Sequence, residues 1–376
     1  MDIELSKETL LPGLSAAAAI TSRKIPILET IRVSVAEGNI ILTSTDIERQ
    51  IEIDIEGSSV IIEPGSVCVP AKKWLDIIKL LPDEANVRIK KSGGSVGLAS
   101  ASGRYSLSTL PPEEFPAFDS GSANCVVAIQ PGLLLGLIQQ AAYAIAVNDS
   151  RFMLCGMFFK IEGDQMTVAA SDGHRLATAW ATLASGWPPG DPVSFIVPKS
   201  GVAELSKVLA ALPPEADPVR VSTSPQSVCF HLYGHGIRLS TKLIDGIYPD
   251  YVRVLPKITP IRFSANRQDL RAAISRVSVI SSDKFRGIKL EGDGTNLKIS
   301  SRTEHESASE NLLIVDSGSG STPDFSIGFN AHYLIDALSR CRGTAVMIGL
   351  TAELTSALIT DMDHDWFQHV IMPMRL

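Results

Sequence analysis

The chain has 376 residues, with 45% hydrophobic, 20% charged and 6% aromatic side chains. This globular composition excludes a disordered, collagenous or coiled-coil protein and suits two or three domains. Forty-one Asp plus Glu against 34 Lys plus Arg leave a formal charge of −7, which argues against a protein that coats nucleic acid with its whole surface but leaves room for a local basic face.

The predicted elements, taken in chain order, repeat. Leu10–Ile20 (LLPGLSAAAAI) has helical periodicity, and Thr30–Ile53 follows as alternating strands around the turn AEGN. Val69–Pro82 reads as a short strand and second helix, with further strands in VRIKKSGGSVGLAS. After an expected linker at Pro116–Asn124 the order restarts: helix in Gly132–Ile145, strands in Gly156–Trp180 around EGDQ, helix in Val197–Pro213, then VRVSTSPQSVCFHLYGHGIRLSTKL. A second linker, Pro256–Pro260, leads to the third round: Asp269–Ile280, Gly287–Leu312 around GDGTN, Phe329–Cys341 and VMIGLTAELTSALITD. Asp46, Asp172 and Thr303 fall at equivalent corners, 126 and 131 residues apart. The expectation is three copies of a doubled helix-plus-strands unit.

Six windows over the predicted helices and their flanking turns (7–24, 71–81, 132–151, 199–211, 267–284 and 331–342) hold 15 Lys plus Arg against 7 Asp plus Glu. With +8 there, the remainder of the chain carries −15. Basic helices on an acidic body suit a face presented to a polyanion, although helices also keep Lys and Arg simply as solvated charge.

Five scattered cysteines (Cys68, Cys125, Cys155, Cys229, Cys341) without CxxC spacing read as reduced thiols. Asp2 and Glu4 stand where a secretion signal would be basic, and no run of about 18 apolar residues occurs. A cytoplasmic protein is expected.

Enzyme-like patterns fail on their context. Gly93–Gly97 matches GxSxG but sits between alternating strands, as a hairpin turn does. Asp361, Asp363 and Asp365 begin like a calcium loop, yet Trp366 and Met372 occupy the positions that need Gly and Glu. His231 and His235 lie among Gly234, Gly236 and strand alternation, which fits a bend better than a metal pair. Ser171-Asp172-Gly173-His174-Arg175 could suggest acid–base chemistry, but no second catalytic group accompanies it. No catalytic residue, metal or cofactor is expected.

SDGHRLA (Ser171–Ala177), VIMPMRL (Val370–Leu376), LIDGIYPDYVRVLP (Leu243–Pro256), SRKIPIL (Ser22–Leu28), RYSLSTLPPEEFP (Arg104–Pro116) and DKFRGIKL (Asp283–Leu290) together resemble the bacterial DNA polymerase III beta subunit family, the sliding clamps of replication. The resemblance spans the chain with its motifs in order. It implies an α+β fold of three tandem clamp-type domains (1–120, 124–255 and 258–376), each with two outer-layer sheets and two inner helices. It also implies a head-to-tail ring homodimer around duplex DNA, acting as a non-catalytic processivity factor of the replicative polymerase.

Three sites follow from the resemblance. Arg23 and Asn148 correspond to DNA-touching positions, with Lys72, Lys73, Arg151 and Lys199 as weaker candidates; such contacts would hold phosphates without reading bases. A groove between the second and third domains would take a short Leu- and Phe-containing motif from polymerases, the clamp loader and repair proteins. Its expected residues are Leu154, Ser171, Gly173, His174, Arg175, Leu176, Pro249, Arg253, Val254, Ser356, Val370 and Met372. Apolar pockets come from Leu, Val, Pro and the adaptable Met, while Gly173 lets a peptide approach and His174 and Arg175 form polar walls. The subunit interface is expected to use Lys73, Ile77, Leu81, Tyr105 and Leu107 from the first domain. From the third it would use Val279, Ile280, Phe285, Glu304, Glu306 and Glu310. Departures from the family pattern stand at Asn148, Met153, Ser171, Ser307 and Ser309. The alternatives are a divergent paralogue with an altered groove and, more remotely, a hydrolase at Asp172 and His174.

Overall fold

The computed structural model describes residues 1–55, 57, 59–101, 103–118, 125–183, 192–213, 215–281, 286–316 and 323–375. Six α-helices occur among them, two per repeat: α1 (Lys7–Ala18), α2 (Ala71–Leu80), α3 (Pro131–Ala141), α4 (Lys199–Ala210), α5 (Arg267–Ser278) and α6 (Ala331–Arg340). Their faces follow the sequence period. α2 buries Ala71, Trp74 and Ile78 and leaves Lys72, Lys73 and Lys79 exposed; α5 buries Leu270, Ala273, Ile274 and Val277. α1 begins three residues before its apolar pattern because Ser6 caps it, its side chain accepting from Thr9 N–H. Lys7 in that polar first turn is buried, and its Nζ donates to Lys79 O and Leu81 O and pairs with Asp83 at 2.9 Å. The ammonium therefore satisfies carbonyls at the C-terminal end of α2, where the helix dipole is negative.

The chain divides into two compact units, 1–134 with 203–243 and 135–202 with 244–376. All strand pairings among the described residues are antiparallel. The first unit holds a five-stranded sheet in the order Ser59–Glu63, Asp2–Ser6, Asn86–Ser92, Ser95–Ser100, Gly103–Ser108. Its eight-stranded sheet runs Cys125–Ile129, Val219–Thr223, Ser227–Leu232, Ile237–Lys242, Arg49–Asp54, Asn39–Thr45, Thr30–Ala36, Gly65–Pro70. In the second unit a nine-stranded sheet runs Val193–Pro198, Gly156–Glu162, Gln165–Ser171, Arg175–Thr182, Phe367–Ile371, Ala357–Asp361, Ala345–Leu350, Ile261–Asn266, Val315–Asp316. Its four-stranded sheet is Ser307–Leu313, Asn296–Arg302, Gly287–Gly292, Phe325–Asn330.

The middle repeat is shared between units because each half of it continues a neighbour's sheet. Arg49–Asp54 of the first repeat pairs with Ile237–Lys242 of the second, and Arg175–Thr182 of the second pairs with Phe367–Ile371 of the third. The corresponding strands left over, Ser307–Leu313 and Gly103–Ser108, each end a sheet.

The three corners are equivalent in their hydrogen bonds. Asp46 N–H donates to Arg49 O (3.1 Å), Asp172 N–H to Arg175 O (3.3 Å) and Thr303 N–H to Glu306 O (2.9 Å). Gly93 and Gly94 turn a hairpin between Asn86–Ser92 and Ser95–Ser100, as alternation predicts. Asp361 is a buried turn anchor: its carboxylate accepts from Arg342, Gly343 and Asp363 N–H. Burial opposes its ionisation, but these bonds and His364 hold its pKa below the usual value. His231 ends up in a strand, with His235 in the turn before Gly236 at φ +58. Among the described residues no cluster of three or more His, Cys, Asp or Glu could hold a metal, and no helix is long and apolar enough to cross a membrane.

Candidate functional site

Within the second unit, two strands nearly 200 residues apart in sequence lie side by side and join both halves of the expected groove. Leu176 pairs with Val370, and Arg175 with Ile371. Leu176 and Val370 are buried with Ala169, and Leu154 is buried with Ala146, Ile196 and Tyr248. Phe158 and Tyr251 are partly buried against both clusters, so the two make one continuous apolar floor. The Phe158 and Tyr248 rings stack at 5.0 Å, with Tyr251 edge-on to Phe158 at 5.9 Å. Tyr248 and Tyr251 come from the segment that carries Pro249, Arg253 and Val254. Those three are exposed, and Arg253 pairs with Asp250 at 2.9 Å. Ser356 is buried beside the strand Ala357–Asp361, and Met372 is partly exposed.

The polar turn is tightly made. Ser171 Oγ donates to Arg175 O (2.8 Å) and accepts from Gly173 N–H (3.1 Å), while Asp172 Oδ1 accepts from the N–H groups of His174 (2.9 Å) and Arg175 (3.0 Å). His174 O accepts from Met372 N–H at 2.9 Å, and Met374 N–H donates to Gly328 O at 2.9 Å. The C-terminal segment is thereby fastened along the turn.

Two expected roles shift. Arg175 is not an open wall: its side chain is 13% exposed and pairs with Asp172 (3.0 Å) and Asp336 (2.5 Å). The guanidinium also lies between the rings of Tyr143 (5.0 Å) and Tyr333 (4.5 Å). It positions the turn through partly buried ion pairs and cation–π contacts. Burial opposes its charge, but the Asp336 and Asp172 carboxylates raise its pKa. Gly173, at φ +88, serves the fold as well as any ligand: a Cβ there would stand 2.7 Å from Arg151 Nη2. His174 is exposed, its ring 6.3 Å from that of Tyr333.

Phe158, Tyr248, Tyr251, Leu255 and Leu358 belong to the floor and are absent from the expected set. A signal for Phe158 exists in the repeats, whose equivalent strand positions hold Arg32, Phe158 and Lys289. Only the middle copy is aromatic. Alternation marks the position as a face but cannot say what covers it.

Beneath this floor His369 is completely buried, its Nδ1 3.0 Å from the Tyr143 hydroxyl and its Nε2 without a partner. Burial, reinforced by Arg340, pushes its pKa down to about 3. An unfolded histidine takes its proton near pH 6.5, so the stability contributed by neutral His369 is present above that pH. It is lost as pH falls towards 3, by up to ~1.4 kcal/mol per pH unit. Urea midpoints measured from pH 7 to 4 are expected to fall more steeply for the wild-type chain than for His369→Gln. Parallel curves would reject this account.

Among the polyanion candidates, Arg23, Lys72 and Lys73 are exposed in the first unit, and Asn148, Arg151 and Lys199 in the second. Asn148 adopts φ +54, an Asn-tolerated conformation. Arg151 is already bound by Asp149 at 2.7 Å and by Asp172 O at 3.3 Å, and the Arg151 hydrogen bonds push the Asp149 pKa down to about 2. Of the interface candidates, Lys73, Tyr105, Glu304, Glu306 and Val279 are exposed, while Ile77, Ile280 and Glu310 are partly exposed. Leu81 and Leu107 are buried in their own unit. Glu310 pairs with Arg276 at 2.7 Å, and Phe285 lies outside the described residues. Leu80, not singled out by pattern, is 87% exposed at the end of α2.

Comparison with known proteins matches residues 1–119, 128–250 and 252–375 to the N-terminal, central and C-terminal domains, respectively, of the DNA polymerase III beta subunit. The chain is 34% identical over 354 residues to a beta sliding clamp of Vibrio cholerae, covering 94% of this chain and 93% of the relative. It is 33% identical over 378 residues to a beta sliding clamp of Salmonella typhimurium, covering 100% of both. A solved Pseudomonas aeruginosa sliding clamp bound to griselimycin superposes with a TM-score of 0.93 at 32% identity, covering 100% of both chains.

Proposed function

The chain belongs to the DNA polymerase III beta subunit family, and from that membership we propose that it works as a DNA sliding clamp, a non-catalytic processivity factor. The observation that carries this reading is the full set of three family domains, in order, on a fold whose corners repeat three times. The proposed domain limits are 1–120, 124–255 and 258–376; the repeats and the matched ranges support them to within a few residues, the third match beginning at residue 252. Its partners are DNA and the polymerase. Holding both turns repeated rebinding of the polymerase into an intramolecular event at high effective concentration.

The finer proposal is a head-to-tail homodimer. Twice within the chain, the fourth strand of one repeat pairs with the last strand of the next. Ser307–Leu313 and Gly103–Ser108 lack that partner, and a second copy related head to tail supplies each with the other. Enclosure of duplex DNA would then leave Arg23, Lys72, Lys73, Asn148, Arg151 and Lys199 to meet phosphates, a shallow attraction that permits sliding. Each true phosphate contact replaced by Ala is expected to reduce the slope of log affinity against log salt by about 1, equally for unrelated DNA sequences. Equilibrium binding across a salt series tests it. An unchanged slope after combined Arg23→Ala and Lys72→Ala substitution would remove both from the DNA surface.

The groove residues Leu154, Ser171, Gly173, His174, Arg175, Leu176, Pro249, Arg253, Val254, Ser356, Val370 and Met372 are proposed to receive linear motifs, with Phe158, Tyr248 and Tyr251 added to the floor. The apolar floor beside a fastened polar turn supports this reading, because a Leu or Phe side chain gains by burial there while the turn gives orientation.

A further inference from the structure

The first unit contains a second copy of the groove scaffold with a different floor. Its corner repeats the hydrogen bonds of the Ser171–Arg175 turn. Thr45 Oγ1 donates to Arg49 O (2.7 Å) and accepts from Ile47 N–H (3.0 Å), while Asp46 Oδ1 accepts from Glu48 N–H (3.1 Å) and Arg49 N–H (2.7 Å). Arg49 is held by Asp46 and lies 3.9 Å from Glu204, as Arg175 is held by Asp172 and Asp336. Strand register then gives the floor residue by residue. Arg32 opposite Thr43 replaces Phe158 opposite Ala169, and Gln50 opposite Ser240 replaces Leu176 opposite Val370. Glu52, on the far side of Thr43, replaces Thr178; its carboxylate is already paired with Arg238 at 3.0 Å and accepts from Gln50 Nε2 at 3.1 Å. Phe115, followed by Pro116, takes the place of Tyr248 before Pro249. Arg32 Cζ lies 5.0 Å from the Phe115 ring centre, the spacing at which Phe158 stacks on Tyr248.

This polar floor is incompletely satisfied. Arg32 Nε and Thr43 Oγ1 are both buried without a hydrogen-bond partner, and Thr43 is 0% exposed. No carboxylate among the described residues pairs with Arg32. At Nε the guanidinium has lost water and gained only a ring face, which leaves one buried donor unsatisfied. Arg32 remains partly exposed as a residue, so an arriving anion meets the distal Nη side. A carboxylate matches that fork and forms charge-assisted bonds, whereas a Leu or Phe side chain would desolvate Arg32 and Gln50 for no return. Ile47, at φ +79 and 42% exposed, stands where the other corner has Gly173. A ligand must therefore reach in with a side chain rather than lay its backbone along the turn.

We propose that this corner is a second docking site, selective for a peptide that presents a carboxylate to Arg32. It goes beyond the clamp reading and requires neither DNA nor a dimer. The test is fluorescence anisotropy at low salt on the full chain, with labelled capped Gly-Glu-Leu-Glu-Gly and its Gln counterpart as probes. The Glu peptide is expected to bind at least tenfold more tightly, and saturating Leu/Phe-motif peptide should not displace it. Arg32→Met is expected to abolish the preference while leaving affinity for the Leu/Phe-motif peptide unchanged. Should Arg32→Met fail to fold, Arg32→Lys carries the test: it keeps the charge, loses the planar fork, and is expected to weaken the Glu peptide at least threefold. Equal affinity for the two probes, displacement by the Leu/Phe peptide, a Glu preference that survives Arg32→Met, or, where Arg32→Lys carries the test, Glu-peptide affinity unchanged by it would each overturn the proposal.

Discussion

Removing Met372–Leu376 is expected to raise the dissociation constant of a Leu- and Phe-containing motif peptide about 30-fold or more while leaving the chain folded. The strand Phe367–Ile371 stays paired on both sides, with Arg175–Thr182 and with Ala357–Asp361, so Val370 remains opposite Leu176. Beyond it, the backbone bonds that hold the tail are Met372 N–H to His174 O and Met374 N–H to Gly328 O. Two such bonds contribute about 0.5–1.5 kcal/mol each, too little to unfold a sheet of nine strands. Binding is another matter. In the proposed groove Met372 closes one side of the apolar floor, and losing an anchor wall of that kind costs about 2 kcal/mol or more, the stated 30-fold. Calorimetric titration of the peptide, with circular dichroism as the check on folding, decides it. Unchanged affinity in a folded truncation would sink the groove assignment.

The second large effect concerns closure of the proposed dimer. Val279→Asp is expected to weaken the dimer at least ~100-fold, about 2.7 kcal/mol, so that it dissociates at dilutions where the wild-type chain stays dimeric. Val279 caps the C-terminal end of α5 and is 79% exposed, so a carboxylate there costs the isolated subunit little. In a subunit contact the same carboxylate would be buried beside apolar groups without a partner. Leu80 at the end of α2, 87% exposed, is the kind of apolar surface such a contact would cover. Light scattering after size exclusion gives the mass of both proteins. A wild-type monomer at every concentration would withdraw the ring, and a Val279→Asp dimer as stable as wild type would move the interface away from α5. Retention on circular DNA should be lost together with the dimer, because enclosure is topological.

The repeated unit, the six helices and their buried faces were legible in the sequence, because helix and strand periods are local properties of residues two to four apart. So were the two halves of the proposed groove as separate motifs, the hairpin at Gly93–Gly94, the strand alternation around His231 and the turn at Asp361. What only the tertiary structure decided is which distant strands share a ladder. A one-residue change of register between Arg175–Thr182 and Phe367–Ile371 would turn Leu176 away from Val370 without altering either motif. Nor does spacing reveal that Arg175 is enclosed by Asp336, Tyr143 and Tyr333, residues from two other helical segments. The contrast between the two corners has the same origin. Phe158 and Arg32 occupy one repeat position, and their opposite chemistry acquires meaning only when Ala169 or Thr43, and Val370 or Ser240, are brought to the same face by pairing across the repeats.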